Sequence, residues 1–405
     1  MQESSYRWVV VAAGGFMGCV AMGALFSLPV LLTPMVTETG WSRTGISAAM
    51  TIGFLSMAAT AMIWGALSDR FGARPVVASG AALFAASLWA AAQAPSLIVF
   101  QLAFGLLAGG AVSAFFAPMM ATVTGWFETQ RALAVSLVSA GIGLAPVTMS
   151  PLTARLIESY DWRMVLTIMA GLVAVLTLPA SLLLARPPAA QLAPMSPTGD
   201  LPPDPGMTVR QAVASQQFIV LVVTNFFCCA THSGPIFHTV SYAQICGISA
   251  IAAVSIYSVE GIAGMAGRIG FGVLGDRLGA KRVLVGGLLA QAFGALAYAF
   301  VSQLAGFYAV AFLFGFIYAG IMPLYAVLIR ENFPMKMMGT IIGGTSMAGS
   351  LGMATGPVLG GYIYDATGGY ATMYITCWIL GLMAFLVSMT FRPFPKAYLS
   401  SPTAA

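Results

Sequence analysis

Twelve apolar runs of helix length, separated by short polar breaks, occupy most of this chain of 405 residues. They cover 8–35, 44–66, 76–93, 97–123, 131–154, 163–185, 216–241, 249–272, 283–301, 304–328, 338–362 and 371–391. A helix needs about 20 apolar residues to cross the hydrocarbon of a bilayer. A membrane barrel would instead show segments of about ten residues with period two. These runs, rich in Gly, Ala, Leu and Met, do not alternate in that way. Only 7% of the residues are charged and 59% are hydrophobic, whereas a soluble domain carries about 25% charged residues. Such a chain has too few polar groups to cover itself in water. The expected fold is an all-α membrane protein with twelve transmembrane helices. The first run continues through Pro29, Val30, Leu31 and Leu32, beyond the apolar core of a cleaved signal, and is read as the first span.

Loops rich in Lys and Arg stay on the cytoplasmic side of a membrane. Arg7, Arg70, Arg74, Arg131, Arg186, Arg210, Arg277, Lys281, Arg282, Arg330, Lys336, Arg392 and Lys396 share one side, against Arg43, Arg155 and Arg163 on the other. This bias places both termini and the central loop in the cytoplasm of a multi-pass protein of the inner (plasma) membrane. The net charge of +5 is dispersed among loops, unlike the basic patch of a nucleic-acid binder. Cys19, Cys228, Cys229, Cys246 and Cys377 form no metal-ligand pattern and are read as small hydrophobes. No phosphate-cradling loop or nucleophile–base pair stands out, so neither an enzyme nor a cofactor is expected.

The longest polar segment starts at Arg186, RPPAAQLAPMSPTGDLPPDPGMTVRQAV. Its proline content marks an extended linker. The chain therefore divides into 1–185 with six spans, a cytoplasmic linker 186–215, and 216–405 with six more. Thr208 is expected to cap a short surface helix leading into the seventh span. The two halves are copies. GALSDRFGARP, from Gly65, returns as GVLGDRLGAKR, from Gly272, an offset of 207 residues. Gly40 and Gly247 keep that offset, and AGIGLAP and GMATGP place Pro146 and Pro357 at similar depth in spans five and eleven. Parallel repeats about an axis along the membrane normal are a transporter architecture.

The repeated string sits in the loops after spans two and eight. Gly65, Gly72, Gly272 and Gly279 permit tight turns and close helix approach. Asp69 and Asp276 can cap a helix at the positive end of its dipole. Arg70, Arg74, Arg277 and Arg282 can pair with those carboxylates or with carbonyls at a neighbouring helix end. Where the halves meet on the cytoplasmic side, such contacts would favour a closed face when intact and let it open when broken. The competing reading is a positively charged turn that only sets orientation.

This G-x-L-x-D-R-x-G-x-R/K string resembles the signature of the major facilitator superfamily, and the resemblance covers the whole chain. It implies two six-helix bundles around a central cavity, working by alternating access. WFETQRALAVSLVSAG, Trp126 to Gly141, resembles the pattern that opens span five in the monocarboxylate porter family. HTVSYAQICGIS, His238 to Ser249, resembles the end of span seven in bacterial relatives of that family, which include oxalate–formate antiporters. GRIGFGVLGDR, from Gly267, puts Arg268 at the position of the arginine that binds substrate carboxylate in the family. Other positions depart from the animal branch. Only Trp8 remains of its first-span motif, Val30 follows Pro29 where that branch has Lys, and Gly264 replaces its Asp. Span eleven also lacks the Lys of the oxalate exchanger. These departures point to a bacterial branch.

Away from the ends of the runs, Arg268 is the one Lys or Arg. Its guanidinium can grip a carboxylate with two parallel hydrogen bonds. The competing reading is a side chain that snorkels about 12 Å along the helix to the cytoplasmic surface. Glu260, eight residues earlier, lies about 80° around and 12 Å along, too far for an ion pair, and is a coupling candidate. His232 and His238 both fall in span seven. Histidine titrates near neutral pH, so His232 is assigned to the substrate site and His238 to coupling, with plain packing as the alternative. Phe115 and Phe116 of span four, and Tyr318 and Tyr325 of span ten, are candidate cavity walls. The expected function is secondary active transport of small monocarboxylates, lactate- or pyruvate-like, coupled to protons. The alternative is organic-anion exchange of the oxalate–formate type. The expected partners are a small organic anion, a proton and the lipid bilayer, with no nucleic acid.

Overall fold

The computed structural model describes residues 5–127, 129–187 and 207–394. Its described elements are helices. Span 1 is Tyr6–Leu25 continued by Leu28–Thr39; span 2 is Arg43–Phe71; span 3 is Ala73–Ala92. Span 4 runs through Leu97–Phe100, Gln101–Ala108 and Gly109–Trp126, and span 5 through Arg131–Gly143 and Ala145–Ile157. Span 6 is Trp162–Ser181, span 7 Gln216–Ile245, span 8 Ala250–Leu278 and span 9 Ala280–Ala297. Span 10 is Leu304–Asn332, span 11 Met338–Thr367 and span 12 Ala371–Met389. Among the described residues, nine of these are long and apolar enough to cross a membrane by length and composition alone. Spans 5, 8 and 11 complete the twelve; they are glycine-rich, and span 8 carries Glu260 and Arg268.

The repeat is visible in the local chemistry of the helix ends. Ser42 caps span 2 by accepting from the Gly45 amide, and Ser249, 207 residues on, caps span 8 by accepting from Ala252. Gly72 and Gly279 end the same two spans, both at φ +89°, a region that residues with a Cβ seldom enter. The long helices are also interrupted where the sequence demands it. Span 1 breaks at Phe26–Ser27, with Pro29 in the first turn of its second segment. Span 5 breaks at Leu144, just before Pro146 removes an amide donor. The stretch Gln101–Ala108 of span 4 is a π-helix. Most of the linker, 188–206, lies outside the described residues. At its end Thr208 forms a capping box with Gln211 on the short helix Val209–Val213.

Each half makes the same three pairings. Span 3 packs on 6, 2 on 4 and 1 on 5; likewise span 9 packs on 12, 8 on 10 and 7 on 11. Apolar side chains such as Val175, Ile262 and Leu386 face outward, so little hydrophobic drive holds one helix to another in lipid. Close van der Waals contact between small residues takes its place. Gly109 meets the backbone of Gly53, Gly141 that of Gly15, and Gly267 that of Phe316.

The halves join through span 2 on span 11 and span 5 on span 8. These junctions sit at the end of the molecule that holds Arg70, Arg74, Arg277 and Arg282, called the basic end below. A Cβ built on Gly65 would fall on the Gly339 carbonyl, so the two helices touch backbone to backbone there. Gly171 of span 6 has nothing within 4 Å of such a Cβ. Gly65→Ala should therefore lower stability in detergent by about 1–3 kcal/mol through overpacking. Gly171→Ala should be neutral or stabilise by up to about 1 kcal/mol through helix propensity. Thermal unfolding of the two variants checks this, and equal effects would contradict the close contact.

Candidate functional site

At the basic end, the two repeated aspartates each reach across to the other half. Asp69, in the last turn of span 2, accepts the amides of Gly339 and Thr340 at 2.7 Å each and the Thr340 hydroxyl at 2.5 Å. Asp276, in the last turn of span 8, accepts the amides of Ala132 and Leu133 at 3.0 Å each. The first amides of a helix have no partner within it and carry the positive end of its dipole. Each carboxylate therefore caps the helix of the opposite half. The pairing of these aspartates with Arg70, Arg74, Arg277 or Arg282 that the sequence allowed is replaced by backbone amides. Arg70 lies over the Phe71 ring at 5.2 Å. Arg74, Arg277 and Arg282 are exposed. The carbonyl at the end of span 2, Phe71 O, is met instead by Arg186 Nη2 at 3.2 Å.

Deeper in the junction of spans 5 and 8 stands Arg268. Its Nε donates to Ser139 Oγ at 3.0 Å, and its Nη1 packs against Gly143. Span 5 leaves the basic end at Arg131, so Ser139 and Gly143 lie about two and three turns along it. The guanidinium thus reaches along span 5 away from the basic end, and the snorkelling alternative does not describe it. Among the described residues, Arg268 forms no salt bridge with a carboxylate. Gly264, where the animal branch has an acid, supplies none; a Cβ there would meet Ala319 of span 10 at 3.0 Å.

Span 10 presents Tyr318 to this arginine. Tyr318 lies within electrostatic reach of both the Arg268 guanidinium and the Glu260 carboxyl. Glu260 and Arg268 thus share a neighbour without pairing directly. Glu260 is buried, and its Oε1 has no hydrogen-bond partner. On its other face Tyr318 stacks on the His232 ring, with centroids 4.8 Å apart and planes 27° apart. Gln291 selects the tautomer of that ring. Its Nε2 donates to the Cys228 carbonyl at 3.0 Å and faces His232 Nδ1 at 3.1 Å, while its Oε1 accepts from the Cys228 thiol at 3.3 Å. Turning the amide over would set two oxygens against each other, so Nδ1 is the acceptor and the ring proton sits on Nε2.

Arg268, Tyr318, Glu260 and His232 therefore form one cluster. The other candidates lie apart from it. His238 packs on Tyr370 at 5.3 Å and against Gly360, toward the end opposite the basic one. Phe115 is buried in the main apolar core and Phe116 is half-buried against it. Tyr325, seven residues past Tyr318, has a buried hydroxyl without a hydrogen-bond partner. Ser139, Gly143 and Gln291 are the residues that sequence reasoning missed. A signal for the first two existed: Ala132, Ser136, Ser139 and Gly143 recur at spacings of four, three and four, the period of one small-residue helix face.

Comparison with known proteins gives the wider setting. The chain is 27% identical over 377 residues to monocarboxylate transporter 13 of Bos taurus, covering 92% of this chain and 86% of that one. It is 27% identical over 391 residues to monocarboxylate transporter 11 of Mus musculus, covering 93% and 85%. The crystal structure of the human organic anion transporter MFSD10 (TETRAN) superposes with a TM-score of 0.74 at 18% identity, over 94% of this chain and 99% of the other. The family model described as Major Facilitator Superfamily matches residues 14–352 and 269–405. With the repeated halves and their cross-capped junctions, these matches show that the chain belongs to the major facilitator superfamily of membrane transporters.

Proposed function

We propose that this transporter carries small monocarboxylates, lactate- or pyruvate-like, together with a proton. The observation that carries this reading is Arg268. A guanidinium within the membrane costs several kcal/mol unless it faces a partner or a wet cavity, and among the described residues no carboxylate pairs with it. A substrate carboxylate supplies that partner. The similarity to monocarboxylate transporters 13 and 11 points the same way. Residues 1–185 and 216–405 act as two bundles joined by the linker 186–215, with both termini in the cytoplasm. Arg268 holds the carboxylate, and Tyr318 and His232 flank it as neutral hydrogen-bonding and stacking surfaces. Phe115 and Phe116 are proposed to wall the path and His238 to assist coupling. The Asp69 and Asp276 contacts, with the glycines and arginines of the repeated loops, form the cytoplasmic gate.

A proton makes energetic sense of uptake. An anion entering against an inside-negative potential pays about 2.3 kcal/mol per charge for every 100 mV, and one co-transported proton cancels that charge. Glu260, a buried carboxyl sharing Tyr318 with Arg268, is the proposed carrier. Reconstituted vesicles should accumulate labelled pyruvate or lactate under an acid-outside gradient. Glu260→Gln should lose that accumulation and retain exchange of internal for external acid. Accumulation that ignores the gradient and needs a preloaded counter-anion would replace this reading with anion exchange.

One guanidinium satisfies one carboxylate, and a second carboxylate would be desolvated without a fixed cation, at a cost of several kcal/mol. A penalty of only about 2.8 kcal/mol corresponds to roughly hundredfold weaker binding. Pyruvate should therefore compete with labelled lactate far better than oxalate or succinate at neutral pH. Arg268→Lys should impair transport of every acid that competes, because an ammonium lacks the two-pronged grip. Strong competition by oxalate or succinate with none by pyruvate would sink the proposal.

A further inference from the structure

We propose that Ser139 and Gly143 of span 5 form a seat for the Arg268 guanidinium that the substrate carboxylate must displace, so that binding itself releases the contact between the two halves. The proposal rests on Arg268 as the carboxylate-binding residue and adds what the opposite half contributes.

A guanidinium offers a carboxylate two edges for a two-pronged bond, Nε with Nη2 and Nη1 with Nη2. Each edge here includes a nitrogen already committed to span 5. Nε donates to Ser139 Oγ at 3.0 Å, and Nη1 lies so close to Gly143 that a Cβ on that residue would overlap it. A carboxylate taking the first edge replaces the Ser139 hydroxyl, and one taking the second lifts Nη1 from Gly143. Ser139 is itself buried, with 6% of its surface exposed, and the hydroxyl is a neutral acceptor. An anionic acceptor forms the shorter and stronger bond to a guanidinium, so the exchange runs toward substrate. The serine thus keeps the cation satisfied between transport events.

The internal repeat shows that this seat is specific to one junction. The offset of 207 residues carries Ala61 onto Arg268, and Ser346 and Ser350 onto Ser139 and Gly143, so the other junction has small residues but no guanidinium to seat. At the junction of spans 2 and 11, a Cβ on Gly343 would overlap the backbone of Ala61 and Met62. That junction closes by backbone contact at this level, where its counterpart closes through a side chain. Substrate binding therefore loosens the junction of spans 5 and 8 and leaves that of spans 2 and 11 in place. Gly143 is a positioning residue in the same seat, since any side chain there pushes the guanidinium away from Ser139.

Removing the competitor should strengthen binding. By isothermal titration of the purified protein with pyruvate, Ser139→Ala should lower Kd about tenfold or more, the value of losing one hydrogen bond to a charged group. Ser139→Thr, which keeps a hydroxyl, should restore the wild-type Kd. In vesicles, Ser139→Ala should lower KM for pyruvate and also lower kcat, because product leaves an arginine with no resting acceptor. A higher Kd in Ser139→Ala would make the serine a direct substrate ligand and overturn the seat; an unchanged Kd would make its bond incidental. If the wild type binds neither pyruvate nor lactate, the substrate assignment fails by itself. The seat is then read from thermal unfolding without added acid. Ser139→Ala and Arg268→Gln should be non-additive in a double-mutant cycle, and additivity would overturn it.

Discussion

Four backbone amides at the first turns of spans 5 and 11 govern how the two halves meet. A helix start leaves its amides unpaired, and in a bilayer neither lipid nor a neighbouring apolar helix can satisfy them. Asp276 takes Ala132 and Leu133, and Asp69 takes Gly339 and Thr340. Both aspartates belong to the opposite half. The closed basic end is therefore the place where each half completes the other's helix. Opening it gives up these bonds to water, which can replace them because the sites border the aqueous surface. A contact that is satisfied when closed and hydrated when open suits a gate, since neither state strands a buried polar group.

Small residues let those carboxylates arrive. Gly65 against Gly339, and Gly272 against Ser136, bring the helix axes close enough for a short aspartate to reach an amide. The same close approach continues inward along span 5 to Ser139 and Gly143, where it meets Arg268. The proposed gate and the Arg268 contact thus share one helix face, Ala132 to Gly143. Asp276 and Arg268 both reach that face from span 8. Tyr318 joins this face to Glu260 and His232 in the second half, which places the proposed proton carrier beside the proposed anion site without an ion pair between them.

Much of this was legible in the sequence because it follows from periodicity and repetition. The twelve runs, the loops after spans 2 and 8, and the isolation of Arg268 in an apolar helix all read directly. Gly72 and Gly279 were readable as turn residues, and their equal φ shows why glycine stands at both. The partners of Asp69 and Asp276 were less legible. Nearby arginines advertise themselves as partners, whereas backbone amides 143 or more residues distant leave no mark in a string of letters. Ser139 and Gly143 were overlooked for a related reason: small residues in a membrane helix read as packing until a neighbouring helix brings a charge to them. His238 and Phe115 illustrate the converse. Their residue types drew attention from the sequence alone, and the fold sets them away from the Arg268 cluster, beside Tyr370 and within the main core.

The central claim is that the two aspartate–amide junctions hold the basic end shut. Spin labels at Phe71 and Leu278, exposed residues at the ends of spans 2 and 8, report the separation of the halves by pulsed electron resonance. In reconstituted protein, replacing both Asp69 and Asp276 by Asn should shift the distance distribution from one short population toward a longer one. Each single replacement should give an intermediate mixture. An unchanged short distance in the double variant, with the protein still folded, would contradict the account.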